Sequence, residues 1–185
     1  AADAIAQAGC AAAATGNAAS RNSGAAALAH THGTRVLLNP APAPDESERA
    51  ELVRLLPLID VLIPNESEAA LLAGVALHDG ATAAQAARAL QQQGARSVVV
   101  TLGRQGALLL HEGQLYQQAA YPVQAVDTTA AGDAFVGAFA VALAEGLAPH
   151  EALRRGAAAG ALAATQLGAQ PSLPQRAAIE RMVGE

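Results

Sequence analysis

The chain has 185 residues, a net charge of -5 and 52% hydrophobic content, with 2% aromatic residues and no tryptophan. That is length enough for one domain whose core is built from alanine, leucine and valine. The acidic balance and the lack of arginine clusters or aromatic stacking platforms exclude nucleic acid as the main partner. All eleven basic side chains are arginine, so the chain holds neither a Walker-type phosphate loop nor a Schiff-base lysine. The single cysteine, Cys10, forms no internal disulfide or Cys-cluster metal site and reads as a small apolar residue. The five histidines show no zinc spacing. No segment reaches the roughly 18 uninterrupted apolar residues of a membrane span. The opening "AADAIAQAGC" is not a signal peptide and lacks a starting methionine, so the chain is expected to begin mid-protein, in the cytoplasm.

Residues 1–33 are alanine-rich and carry little pattern, apart from a helix over "SRNSGAAALAHTHG" closed by Gly33. "TRVLLNPAPAP" reads as a short buried strand stopped by prolines. "DESERAELVRLLPLI" is a helix capped by Asp45 or Ser47, with leucines at helical spacing. Val61–Ile63 form a compact strand that Pro64 ends, and Asn65 opens a short helix closed by Gly74. "ATAAQAARALQQQG" is a further helix ending at Gly94. "ARSVVVTLGRQGALLLHEGQLYQQ" reads as a strand, a glycine-bearing turn and a hairpin around "EG". Helices are expected from Ala130 to about Leu147, from Pro149 to about Thr165, and from Pro174 onward. Strands alternating with helices argue for a three-layer α/β/α domain with a mostly parallel sheet. Its ligand site is then expected at the carboxyl ends of the strands.

Four motifs fall in such loops. In "VDTTAAGDAF", Gly132 and the alanines before it leave the amides of a helix start uncovered, a ready anion cradle. Asp133 in that first turn serves either to offset the helix dipole or to accept a proton from a hydroxyl attacking a phosphoryl group. In "PNESEA", Asn65, Glu66 and Glu68 offer oxygens to a hydrated Mg²⁺, or simply cap a helix. In "VVVTLGRQGA", Gly103 and Gly106 allow either close approach of a nucleotide or a tight turn. "TQLGAQPSLP" supplies carbonyls and Ser172 to a monovalent cation, or merely connects two helices.

The order of "NPAPA" (39–43), "PNESEA" (64–69), "VTLGRQGA" (100–107), "AVDTTAAGDAF" (125–135) and "GAQPSLP" (168–174) resembles the ribokinase branch of the PfkB-type carbohydrate kinases, from about Arg35 onward. The resemblance implies that Asp133 is the catalytic base and that the amides of Ala130, Ala131 and Gly132 form the anion hole for ATP. It implies that Asn65 and Glu68 organise Mg²⁺ and the phosphates, and that Thr101, Leu102, Gly103, Arg104, Gln105 and Gly106 line the nucleotide site. A K⁺ site is implied at the Asp127 carboxylate, the backbone of Thr129, Ala163, Gln166 and Gly168, and the Ser172 hydroxyl. The implied activity is ATP-dependent phosphorylation of a sugar hydroxymethyl group, with ribose as the first candidate.

The departures are as informative. The family's sugar-binding Gly-Gly-Lys-Gly-type motif and β-sheet lid have no counterpart here, and Gly16 and Asn17 stand near where the family places a sugar-contacting acid. Ala157 stands where ribokinases carry His or Asn beside the nucleotide. The expectation is one partial kinase domain over 1–185, weakly matched over 1–33, with impaired sugar binding. The family's lid often makes the dimer contact, so a homodimer is an option for the full-length protein and the oligomeric state of this chain is left open. A noncatalytic nucleotide-binding remnant and a fructokinase-like or nucleoside kinase are the alternatives.

Overall fold

The computed structural model describes residues 10–14 and 19–184. By contacts the chain divides into two compact units: Ala1–Leu102 with Leu108–Tyr116, and Gly103–Ala107 with Gln117–Glu185.

The first unit is an α/β layer structure. In chain order it contains β1 (Cys10–Ala14), α1 (Ala19–Thr31), β2 (Arg35–Asn39), α2 (Glu46–Leu55), β3 (Val61–Leu62), α3 (Glu66–Ala73), α4 (Gly80–Gln92) and β4 (Ser97–Thr101). The hairpin β5 (Ala107–His111) and β6 (Gln114–Gln118) follows. The six strands form one sheet in sequential order. β1 to β4 pair in parallel, with Ala12 opposite Leu37, Leu38 opposite Leu62 and Leu62 opposite Val98. The two-residue turn at Glu112 and Gly113, both at positive φ, reverses the chain and makes the sheet mixed. Helical crossovers are what parallel neighbours require, and each β-to-β step from β1 to β4 contains at least one helix. The expected α/β class is borne out, and among the described residues all strands belong to this one sheet.

Val36, Leu38, Leu62, Val98, Val100, Leu108 and Leu110 share one core with Ala26 and Ala29 of α1, Leu52 of α2, Leu72 of α3 and Leu90 of α4. The alternate strand residues Leu37, Val99 and Leu109 are equally buried, so both faces of the sheet are covered. Strand β1 lies in the stretch where the sequence carries little pattern. Alanine favours helix over strand, and "CAAAA" becomes a strand because the exposed edge of β2 supplies five residues of parallel pairing. Gly16 and Asn17 lie outside the described residues.

Local signals set the element ends. Asp45 caps α2, its carboxylate accepting from Glu48 N–H at 2.9 Å. Pro57 turns the end of α2 into a 3₁₀ segment, Leu56–Leu58. Gly74 closes α3 in the left-handed conformation.

The second unit is helical: α5 (Ala131–Ala144), α6 (Pro149–Ala163) and α7 (Arg176–Val183). Ala134, Ala159 and Ala163 form its buried nucleus, with Ala138 and Ile179 against it. Phe135 and Phe139 stack within α5, ring centroids 6.2 Å apart. The three helices match the expected positions, α7 starting two residues later than expected, after Pro174 and Gln175.

Candidate functional site

In the first unit, the candidate residues sit at the carboxyl ends of neighbouring strands. Asn65 leaves β3 in extended conformation and pairs as an isolated parallel bridge with Thr101, the last residue of β4. Thr101 N–H donates to the Pro64 carbonyl at 3.0 Å. Asn65 also caps α3: its Oδ1 accepts from Glu68 N–H, and Glu68 Oε2 accepts from Asn65 N–H, both at 2.9 Å. Glu68 is 2% exposed. Burial raises its pKa, and the two hydrogen bonds with Asn65 oppose that rise. The capping alternative is therefore realised in full. Asn39, at the end of β2, joins the same edge: its Nδ2 donates to the Ile63 carbonyl at 3.1 Å, and its Oδ1 accepts from Ala41 N–H. Sequence reading named "NPAPA" without finding this bond, which spans 24 residues.

Leu102 is buried, and Gly103–Gln105 form an exposed 3₁₀ turn. Gly103 has open space around it. Gly106 does not: a Cβ there would lie 2.0 Å from the Gln118 carbonyl oxygen and 2.6 Å from Ala120 N, at a φ of +101°. This glycine serves the chain's own close approach to residues 118–120.

In the second unit, the sequence segment around Asp133 opens α5. Ala130 is the N-cap residue, 3% exposed, with no side-chain cap. Ala131 N–H donates to the Thr128 carbonyl, whereas Gly132 and Asp133 stand exposed in the first turn. An uncapped helix start of 14 residues presents unpaired donors and the positive end of the dipole.

The loop before α5 is tied to the loop after α6. Asp127 Oδ1 accepts from Thr129 N–H at 2.9 Å and Thr129 Oγ1 at 2.6 Å, and its Oδ2 accepts from Gly168 N–H at 3.0 Å. The Thr129 hydroxyl, then the Gly168 and Thr129 amides, hold the Asp127 carboxyl down at about 2. Val126 N–H and Asp127 N–H both donate to the Ala164 carbonyl, at 2.7 and 3.2 Å. Nothing in the side chain of Ala164 announces this role, because a main-chain acceptor leaves no mark in sequence. Of the other expected cation ligands, the Ala163 carbonyl accepts from Gln166 N–H, and Ser172, 2% exposed, donates to the Ala169 carbonyl. Ala157 is buried at 9% exposure in α6. Among the described residues no three His, Cys, Asp or Glu side chains cluster as a metal site. A donor set of one ionised carboxylate, a hydroxyl and carbonyls fits a monovalent cation better than a transition metal. Glu68, buried and turned into its cap, fits Mg²⁺ only through waters or Asn65.

A trough of about 410 Å³ runs along α5, with Asp133 at its rim and Gly137, Val141, Leu173 and Ile179 among its walls. It is chiefly apolar. Arg155 and Arg176 line it and are bonded to Glu145.

The family described as pfkB family carbohydrate kinase matches residues 1–176. The chain is 43% identical over 152 residues to the ribokinase of Haemophilus influenzae, covering 82% of this chain and 48% of that protein. It is 36% identical over 143 residues to the deoxyribokinase of Salmonella typhi, covering 77% and 45%. The structure of Arabidopsis thaliana ribokinase complexed with ribose and ATP superposes with a TM-score of 0.88 at 33% identity, over 100% of this chain and 58% of that one. The chain thus spans about half the length of the curated relatives it matches. With its fold, its motif order and a family match over nearly its whole length, the chain belongs to the pfkB family of carbohydrate kinases.

Proposed function

We propose that the chain is the nucleotide-handling portion of a ribokinase-type sugar kinase, 1–185 acting as one partial kinase domain. Asp133 accepts the proton of a sugar hydroxymethyl group as its oxygen attacks the γ-phosphorus of ATP. The bond to the β–γ bridging oxygen breaks, and ADP leaves. The amides of Ala130, Ala131 and Gly132 take up charge on the transferring oxygens. Asn65 and Glu68 organise Mg²⁺ and the phosphates; Thr101, Leu102, Gly103, Arg104, Gln105 and Gly106 line the nucleotide. Asp127, with Thr129, Ala163, Gln166, Gly168 and Ser172, holds K⁺, which neutralises charge beside the anion hole.

The single observation that supports this reading best is the bare start of α5. An exposed carboxylate stands in a first turn that no side chain caps. Ribose is the favoured acceptor because the Haemophilus ribokinase match, at 43%, exceeds the 36% of the deoxyribokinase. A pentose lacking one hydroxyl is the second choice.

Calorimetry of the 185-residue chain with MgATP, then with ribose, tests the proposal. Binding of MgATP is expected, and its absence sinks the nucleotide reading. Binding of ATP without ribose favours the noncatalytic remnant. Ribose-dependent ADP release in K⁺ and Mg²⁺ favours a working kinase, and release with 2-deoxyribose in preference to ribose reassigns the acceptor.

A further inference from the structure

We propose that Gly160 is a positioning residue for phosphoryl transfer: its missing side chain sets the depth at which the first turn of α5, carrying Asp133, seats on α6. This rests on the function proposed above. A Cβ at Gly160 would lie 3.0 Å from the Ala131 carbonyl oxygen and 3.6 Å from Phe135 Cβ. One turn earlier, a Cβ at Gly156 would lie 3.2 Å from the Phe135 ring and from its carbonyl oxygen. The two glycines therefore share the face of α6 that receives α5.

Composition does not explain them. Ala157, Ala158, Ala159 and Ala161 surround Gly160. Glycine inside a helix costs stability relative to alanine, and at Gly160 an added Cβ would press on the Ala131 carbonyl oxygen. At Gly24 and Gly137, also helical, an added Cβ would meet nothing within 4 Å.

The two contacts differ in what they hold. Gly156 faces Phe135, in the body of α5. Gly160 faces the carbonyl of Ala131, the first helical residue, two before Asp133. The segment just upstream is anchored by Val126 and Asp127 to Ala164 and by Asp127 to Gly168. A methyl group at 160 therefore tilts the first turn against a fixed loop, turning the exposed Gly132 amide away from the proposed anion. Reacting groups tolerate such displacement poorly, about 10²-fold in rate for 1 Å.

Gly160→Ala, with Gly137→Ala as the control for helix propensity, tests this in the 185-residue chain. Gly160→Ala is expected to keep Tm within about 4 °C. It is expected to weaken MgATP binding by about tenfold, and to shift the amide resonances of Ala131 to Ala134 more than those of Val141 to Ala144. Gly137→Ala should raise Tm and leave MgATP affinity unchanged. A Gly160→Ala affinity within twofold of the parent overturns the inference. So does an unfolded Gly160→Ala, since the glycine would then serve the fold alone. If the parent chain binds no MgATP, the nucleotide reading fails by itself. The amide shifts then decide this inference, and unmoved Ala131 to Asp133 resonances overturn it.

Discussion

Helices α3 and α5 both begin after a loop with an acid three residues past the N-cap, yet they use it in opposite ways. At α3 the acid is Glu68, 2% exposed and spent on the Asn65 amide, while Asn65 returns the bond. At α5 the acid is Asp133, exposed, and its N-cap residue is an alanine with nothing to offer the amides. The first start is closed by its own side chains, and the second stays open to an outside anion. An acid in a first turn therefore carries no fixed meaning. What decides it is whether the N-cap side chain reciprocates.

The sharpest break of this contrast is Asp133→Asn. Any ribose-dependent ADP release should fall by about 10²- to 10⁴-fold while MgATP affinity stays within a few-fold, read by coupled assay and calorimetry. A variant that keeps most of its turnover removes Asp133 as the base.

The closed start responds in stability instead. Glu68→Ala removes the acceptor of the Asn65 amide and with it half of the capping box, and should cost about 0.5–2 kcal/mol in urea unfolding. Glu68→Gln keeps an acceptor for that amide and sheds a charge whose pKa burial has raised, so it should be neutral or stabilising. If Gln keeps the fold but abolishes the Mg²⁺ dependence of ATP binding, Glu68 has a second role beyond its cap.

Asp127 gives a pH signature. Its folded pKa is lowered to about 2 from 3.8, so the carboxylate stabilises the fold above pH about 4. That contribution is lost as pH falls through about 2. Asp127→Asn should flatten the loss of stability between those values in acid-unfolding curves, and an unchanged slope would place the acid sensitivity elsewhere.

The smallest effect tests the openness itself. A Cβ at Gly132 would meet nothing within 4 Å. Gly132→Ala should leave stability unchanged or raise it by up to about 1 kcal/mol by thermal melt. A marked destabilisation would mean that the first turn of α5 is not as open as its exposure implies.

Much of the fold was legible in sequence because its signals are local. The leucine spacing of α2, the Asn65 start and Gly74 stop of α3, and the "EG" hairpin each depend on residues within a few positions of one another. Strand β1 was not legible, since five residues of Cys and Ala become a strand only when β2 lies alongside. The site divided the same way. "DTTAAGD" and "GAQPS" could be placed by order along the chain, but the bond from Gly168 to Asp127 spans 41 residues and the one from Asn39 to Ile63 spans 24. Gly106 read as either room for a nucleotide or a tight turn, and the sequence did not show that its missing Cβ admits the Gln118 carbonyl.

Sequence alone thus determined the α/β class, the element order from β2 onward and the chemical identity of the candidate groups, because periodicity, caps and motif spacing are properties of neighbours in the chain. Tertiary structure alone decided that Asp127 is a clasp between two loops and that Gly160 meets Ala131. Each of these is set by a contact between distant segments, and only packing brings such segments within hydrogen-bond or van der Waals range.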